Sequence, residues 1–152
     1  MSFAAQRATR FVELADVEIG HRALLEVTIA AAAVDGFAEV SGDDNPLHMD
    51  DAYAKTLGFT SRVVHGALLA AYVSRLVGTV FPGPGCFWAR QSFQWRLPVF
   101  IGDRIEIAAT VKHKSMGTRT MVLRVEAHNQ EGKLVMDGEG VVTLLASRGD
   151  AQ

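Results

Sequence analysis

A single cysteine, Cys86, stands in a chain of 152 residues. No internal disulfide can form, and nothing in the cysteine content implies an oxidising compartment. Cys86 lies in an apolar run and reads as a small core residue. An excess of charge is missing too. The formal net charge of -2 offers no basic surface for nucleic acid, which is not expected as a partner. Long hydrophobic runs are also absent. The most apolar stretch, Val63 to Phe81, is interrupted by His65, Ser74 and Arg75, whereas a bilayer span needs about 20 predominantly apolar residues. Met1 to Val17 carries arginines without a continuous apolar block, which is not the pattern of a secretory signal. No membrane partner is expected, and the expected location is cytoplasmic. With no internal repeat, low-complexity stretch or Pro/Ser-rich linker, one domain spanning residues 1–152 is the economical reading.

What is present is the balance of a folded domain: 49% hydrophobic and 21% charged residues, in a chain long enough to enclose one substantial core. Leu25, Val27 and Ile29 alternate with Glu26 and Thr28, which is strand periodicity. The alanine-rich stretch Ala30 to Val40 suits a helix that Ser41-Gly42 breaks. A short helical piece between Asp50 and Leu57 ends at Gly58. Gly66 to Val80 reads as the longest helix. Its apolar residues cover most of the circumference, which predicts burial on nearly every side, and Pro82-Gly83-Pro84-Gly85 stops it.

Strands follow. Phe87, Ala89, Gln91, Phe93 and Trp95 are predicted to share one face, with Trp88, Arg90, Ser92, Gln94 and Arg96 on the other. Ile105, Ile107, Ala109 and Val111 form the inner set of a second run, and Met121, Leu123, Val125 and Ala127 that of a third. Turns at Lys114–Gly117 and Asn129–Gly132 make these runs antiparallel neighbours. In the last run, Leu134 to Leu145, Gly138 and Gly140 predict a bend or bulge. One helix and about five strands give an α+β domain, with the sheet wrapped round the helix. The sheet's free edges and uncovered face favour a dimer.

The segment Ser41-Gly-Asp-Asp-Asn-Pro-Leu-His48 carries the chemistry. On a continuous helix, Asp43 and His48 would point about 140° apart. Pro46 forbids that helix and pushes Asn45 towards extended geometry, while Gly42 and Asn45 allow tight turns. A carboxylate and an imidazole brought to one point suit acid–base work on one water molecule. The plainer alternative is that Asp43 or Asn45 satisfies a turn and His48 is a polar surface residue. A calcium loop is rejected, because Pro46 and His48 fall at ligand positions and Ala54 replaces the closing glutamate. A transition-metal site would need more ligands. Asp50 and Asp51 read more simply as the acidic first turn of the next helix, so no metal is expected.

The stretch Phe37-Ala-Glu-Val-Ser-Gly-Asp-Asp-Asn-Pro-Leu-His48, with five residues before Ala54, resembles the hydratase motif of the MaoC-like, (R)-specific enoyl-CoA hydratases. The resemblance continues through Arg62-Val-Val-His-Gly-Ala-Leu-Leu69, Ser74, Gln91-Ser-Phe-Gln-Trp-Arg-Leu-Pro-Val99 and Gly102-Asp103, and covers roughly residues 15 to 146. It implies a hot-dog fold: an antiparallel sheet wrapped round the long helix, usually as a homodimer or higher homo-oligomer, with acyl-CoA bound near the dimer interface. It implies Asp43 and His48 as the catalytic pair, Gly66 as a backbone donor to the thioester oxygen, and Ser74, with Asn45, as polar support near the pair. A donor at a helix N-terminus makes chemical sense, because its amide is unsatisfied and lies at the positive end of the dipole. The alternative for Gly66 is a simple helix-start glycine. Ser74 would equally bond its own helix backbone. His65 is read as a capping or packing histidine.

The activity so implied is reversible syn hydration of a trans-2-enoyl-CoA to the (R)-3-hydroxyacyl-CoA, without metal or redox cofactor. The rivals are a thioesterase, a dehydratase of another acyl group or carrier, and a non-catalytic acyl-CoA-binding module, since one fold hosts many chemistries.

Overall fold

The computed structural model describes residues 7–8 and 10–145; the expected domain limits, 1–152, reach beyond them. Strand β1 (Arg22–Thr28) alternates exposed and buried residues throughout, as its sequence predicts. Helix α1 (Ala31–Ser41) follows and ends where Gly42 adopts a left-handed conformation, φ +76°, its N–H donating to the Ala38 carbonyl. Two short helices come next, α2 (Pro46–Met49) and α3 (Asp51–Thr56). Helix α4 (Gly66–Arg75) runs on into a π-helical turn, Leu76–Val80. The remaining strands are β2 (Cys86–Gln91), β3 (Gln94–Trp95), β4 (Arg104–Ser115), β5 (Thr120–His128) and β6 (Leu134–Leu144).

All six strands form one antiparallel sheet in the order β1-β4-β5-β6-β2, with β3 also paired to β6. Leu68, Leu69, Val73, Leu76 and Val77 of α4 pack into one core with Ile105, Ile107, Met121, Leu123, Val125 and Val142 of the strands. The sheet therefore wraps the helix, as expected of a hot-dog fold. Each fully buried side chain of this kind stabilises the fold by roughly 1.5–3 kcal/mol. No helix among the described residues is long and apolar enough to cross a membrane.

Four expectations are corrected. The helix is not buried on nearly every side: Ala67, Ala71, Ser74, Arg75 and Gly78 are exposed, because the sheet covers one flank only. The faces of the strand after the Pro-Gly stop are not those of an unbroken alternation. A bulge between Trp88 and Arg90 shifts the phase, so Trp88 and Gln91 lie side by side, indole Nε1–H donating to Gln91 Oε1 at 3.2 Å. The first hairpin turn starts later than predicted, because β4 continues to Ser115. Gly138 and Gly140 mark no bend or bulge; they pair in unbroken register with Val125 and Leu123. They are glycines because the bulged segment lies against them. A Cβ on Gly138 would sit 1.8 Å from the Ser92 carbonyl oxygen, and one on Gly140 would sit 2.9 Å from that of Arg90.

Beside this contact the buried Asp137 receives hydrogen bonds from Arg96 Nε, at 2.7 Å, and from Arg124. The Arg96 guanidinium, and after it Arg124, holds the Asp137 carboxyl below the usual carboxylate range, against the opposing effect of burial. In the window between the folded and unfolded pKa the unfolded chain binds more protons, so stability rises with pH there. Asp137→Asn is expected to lower the urea midpoint at pH 7, with the difference from the parent shrinking as pH falls below about 4. Gly138→Ala is expected to destabilise by about 3 kcal/mol, because backbone must move. Gly36→Ala, with open space at its Cβ inside α1, should stabilise by roughly 0.5–1 kcal/mol. Urea denaturation of the pair checks both values.

Candidate active site

The turn that follows α1 is built from short side chains bonding to nearby backbone. The Asp43 N–H donates to Ser41 Oγ at 3.1 Å, and the Asn45 N–H to Asp43 Oδ1 at 3.4 Å. Asn45 then caps α2 by accepting from the Leu47 N–H at 3.0 Å, with Pro46 in the first helical position. Pro46 thus does more than break one helix: it opens a second, of a single turn, which carries His48 back over Asp43. Asp50 caps α3 through the N–H groups of Ala52 and Tyr53. The side chain of Asp51 accepts the Arg62 N–H at 2.7 Å. Both acids stand at the start of α3, as their place in the sequence implies, but only Asp50 caps it; Asp51 holds Arg62.

His48 Nε2 and Asp43 Oδ2 are 4.0 Å apart. That is too far for a direct hydrogen bond, whose range is about 2.7–3.2 Å. One water about 2.8 Å from each atom would see them at roughly 90°, close to its own donor geometry. The other ring nitrogen of His48 lies 2.6 Å from the Val63 carbonyl. A carbonyl only accepts, so Nδ1 carries the proton, and in the neutral ring Nε2 presents a lone pair towards Asp43. The His48 side chain is 15% exposed and that of Asp43 52%. Water therefore reaches the pair from the carboxylate side.

Arg62 supports this arrangement from behind. Its Nε donates to the His48 carbonyl at 2.6 Å, and its terminal nitrogen pairs with Asp35 on α1. With its own N–H on Asp51, one residue ties α1, α2 and α3 together. His65 packs below: it is buried, stacks on His48 with ring centroids 3.9 Å apart, and its side chain accepts no capping bond from the N–H groups of α4. Its ring packs and does not cap the helix, and its Nε2 lies 2.9 Å from the Asp43 carbonyl oxygen.

Gly66 opens α4, and neither its N–H nor that of Ala67 finds a backbone acceptor among the described residues. Both His48 and Gly66 line a cavity of about 530 Å³ whose other walls include Leu69, Trp95, Leu97 and Val99. A thioester in this cavity would lie between His48 and a helix N-terminus, while Asp43 stands next to His48 and does not itself line the cavity. The glycine is required by the Trp95 indole: a Cβ at Gly66 would stand 2.5 Å from its Nε1. Ser74 is not brought into this group. It lies about 12 Å further along the helix, is exposed, and does not line the cavity. Asn45 serves as the α2 cap.

Asp43, His48 and His65 also make up the group of potential metal ligands found among the described residues. They fit a metal poorly. His48 Nδ1 is committed to Val63 and His65 Nε2 to the Asp43 carbonyl. The two rings are stacked at 29°, so their in-plane lone pairs run side by side and do not converge on an ion.

Fold and site together define a hot-dog domain with a carboxylate–imidazole pair facing a helix N-terminus. The family described as MaoC like domain matches residues 15–132, and the chain belongs to that family. An (R)-specific enoyl-CoA hydratase of Aeromonas caviae is 40% identical over 130 residues, 84% of this chain and 96% of that protein. A protein of the same description from Rhodospirillum rubrum is 35% identical, over 86% of this chain and 90% of that one. An R-hydratase of Pseudomonas aeruginosa, solved in the unliganded form, superposes with a TM-score of 0.83 at 36% identity, over 88% of this chain and 86% of that one.

Arg62 and Trp95 appear in the sequence only as members of longer motifs. Their roles depend on contacts with residues 27 and 29 positions away, Asp35 and Gly66, which no local pattern encodes. Gly66→Ala is expected to displace Trp95 into solvent. In a Trp88→Phe background, tryptophan emission should move to the red, while stability changes by less than about 1 kcal/mol.

Proposed function

We propose that the protein is an (R)-specific enoyl-CoA hydratase, which adds water reversibly to a trans-2-enoyl-CoA to give the (R)-3-hydroxyacyl-CoA. The observation that carries this reading is the 4.0 Å gap between His48 Nε2 and Asp43 Oδ2, with the Nε2 lone pair facing it. Both flanking atoms accept hydrogen bonds. A water between them donates both its protons and turns an oxygen lone pair outward, towards the cavity. The water oxygen bonds to the β carbon of the enoyl thioester and the carbon–carbon double bond opens. Negative charge moves to the thioester oxygen, where the free N–H groups at the start of α4 stabilise it by about 3 kcal/mol. The pair takes one water proton and returns one to the α carbon on the same face, which makes the addition syn and leaves the enzyme unchanged. Asp43 is assigned the abstraction and the pair jointly the return. These steps require only proton transfer, so no metal or redox cofactor is assigned.

Support for the substrate comes from the names of relatives aligned over most of both chains and from the largely apolar cavity that His48 lines. A homodimer belongs to the same reading. Strand β2 is a sheet edge, with Phe87 58%, Trp95 53% and Leu97 43% exposed nearby. Together with the exposed flank of α4, these make a face suited to a second copy. Acyl-CoA in the cytoplasm is the setting assigned to the reaction.

The test is hydration of crotonyl-CoA followed by loss of enoyl absorbance, with chiral analysis of the product. The parent should give the (R) alcohol. Asp43→Asn and His48→Gln should each lower kcat by about 10³-fold with little change in melting temperature. Release of free thiol without loss of the enoyl group would assign a thioesterase instead, and binding without turnover would assign an acyl-CoA-binding module.

A further inference from the structure

His65 is 2% exposed and does not line the cavity, yet it touches each part of the site. Its Nε2 lies 2.9 Å from the Asp43 carbonyl oxygen. Its ring stacks on His48 at 3.9 Å, and Phe37 packs on it with centroids 4.9 Å apart at 57°. Its backbone is the N-cap of α4, directly before Gly66. Because a carbonyl only accepts, Nε2 carries the proton, and the neutral ring leaves Nδ1 bare. Nδ1 is buried without a hydrogen-bond partner among the described residues.

A residue kept for packing alone has no reason to be histidine here. Phenylalanine would fill the same space between Phe37 and His48 without burying a bare ring nitrogen, which costs stability. What the imidazole adds is one N–H, and that N–H is spent on the backbone of Asp43. The anchor matters because Asp43 has few others. Its side chain is half exposed and, among the described residues, its carboxylate receives only the 3.4 Å contact from the Asn45 N–H. His48 is held at one ring edge by Val63 and is free to swing about that bond unless something fixes its plane.

We propose that His65 is a positioning residue for the hydration. It pins the Asp43 backbone through Nε2–H and fixes the His48 ring plane by stacking, so that the water-sized gap between the two is kept in register with the start of α4. The proposal rests on the hydratase reading. Misplacement of reacting groups by about 1 Å costs about 100-fold in rate, so the effect of losing this anchor falls on kcat. KM should hold, because His65 does not border the cavity.

The experiment compares His65→Phe, which keeps the ring and loses the N–H, with His65→Gln, whose amide N–H has similar reach. With crotonyl-CoA, His65→Phe should lose about 100-fold in kcat, with KM within about threefold of the parent and no loss of melting temperature. His65→Gln should be several-fold faster than His65→Phe. Parent-like kcat in His65→Phe, a loss confined to KM, or a Gln variant no faster than the Phe variant would each overturn the proposal. Should His65→Phe fail to fold, the unaltered protein decides. Nitrogen-15 NMR of the imidazoles at the pH of activity must show His65 as the Nε2–H tautomer, and an Nδ1–H tautomer overturns the proposal. A parent protein that hydrates no enoyl thioester sinks the hydratase reading, while the tautomer still reports whether the Asp43 contact exists.

Discussion

The Val63 peptide is the fixed point of the site. Its N–H donates to the Leu47 carbonyl at 3.1 Å, and its carbonyl accepts the His48 Nδ1–H at 2.6 Å. The same residue bridges Phe100, and the next N–H, of Val64, donates to the Val99 carbonyl at 2.8 Å. One short extended segment is therefore bonded on one side to the turn carrying the acid–base pair and on the other to the loop walling the cavity. Arg62 before it and His65 after it reach back to His48 and Asp43. Helix α4 starts immediately beyond. Moving this segment would move the pair, the cavity wall and the helix N-terminus together, so their mutual geometry is set by backbone bonding and not by the mobility of separate loops.

The elements that obey simple periodicity were readable from residues alone. Strands β1 and β5 alternate cleanly, whereas β4 keeps its inner set of Ile105, Ile107, Ala109 and Val111 but also buries Ala108 and shifts register between Val111 and His113; the α1 stop at Gly42 follows from its left-handed conformation. The Asp43–His48 convergence was readable for a related reason: Gly42, Asn45 and Pro46 are local conformational constraints, and their effects add within a few residues. What was not readable depended on residues distant in sequence. The phase of β2 is reset by a bulge fitted against Gly138 and Gly140, some fifty residues on. His65 offered two local roles, cap and packing. Only the third dimension supplied its bond to Asp43.

The exposed flank of α4 shows the same limit from another side. Leu68, Leu69, Val73, Leu76 and Val77 point at the sheet, while Ala67, Ala71, Ser74, Arg75 and Gly78 face out. Apart from Arg75 and Ser74 the outer set is small and apolar, so hydrophobicity alone does not mark it as an outer face. Small residues leave a shallow surface that a closely approaching partner can cover, and the edge strand β2 adjoins it. Ser74 belongs to this outer surface and not to the Asp43–His48 cluster.

The two histidines are held in opposite tautomers by two main-chain carbonyls, Val63 on Nδ1 of His48 and Asp43 on Nε2 of His65. That opposition has a chemical consequence. If His48 were bonded through Nε2, its reactive nitrogen would face the scaffold and the gap towards Asp43 would hold no acceptor on the imidazole side. If His65 were bonded through Nδ1, its N–H could not fix Asp43. Carbonyls impose these choices more firmly than titratable neighbours would, because they accept at every pH. The nearby ion pair of Arg62 with Asp35 sits behind His48, and Arg62 bonds the His48 carbonyl, not its ring. The reacting face is thereby left with a single carboxylate and a single lone pair, the two acceptors that one water molecule can satisfy at once.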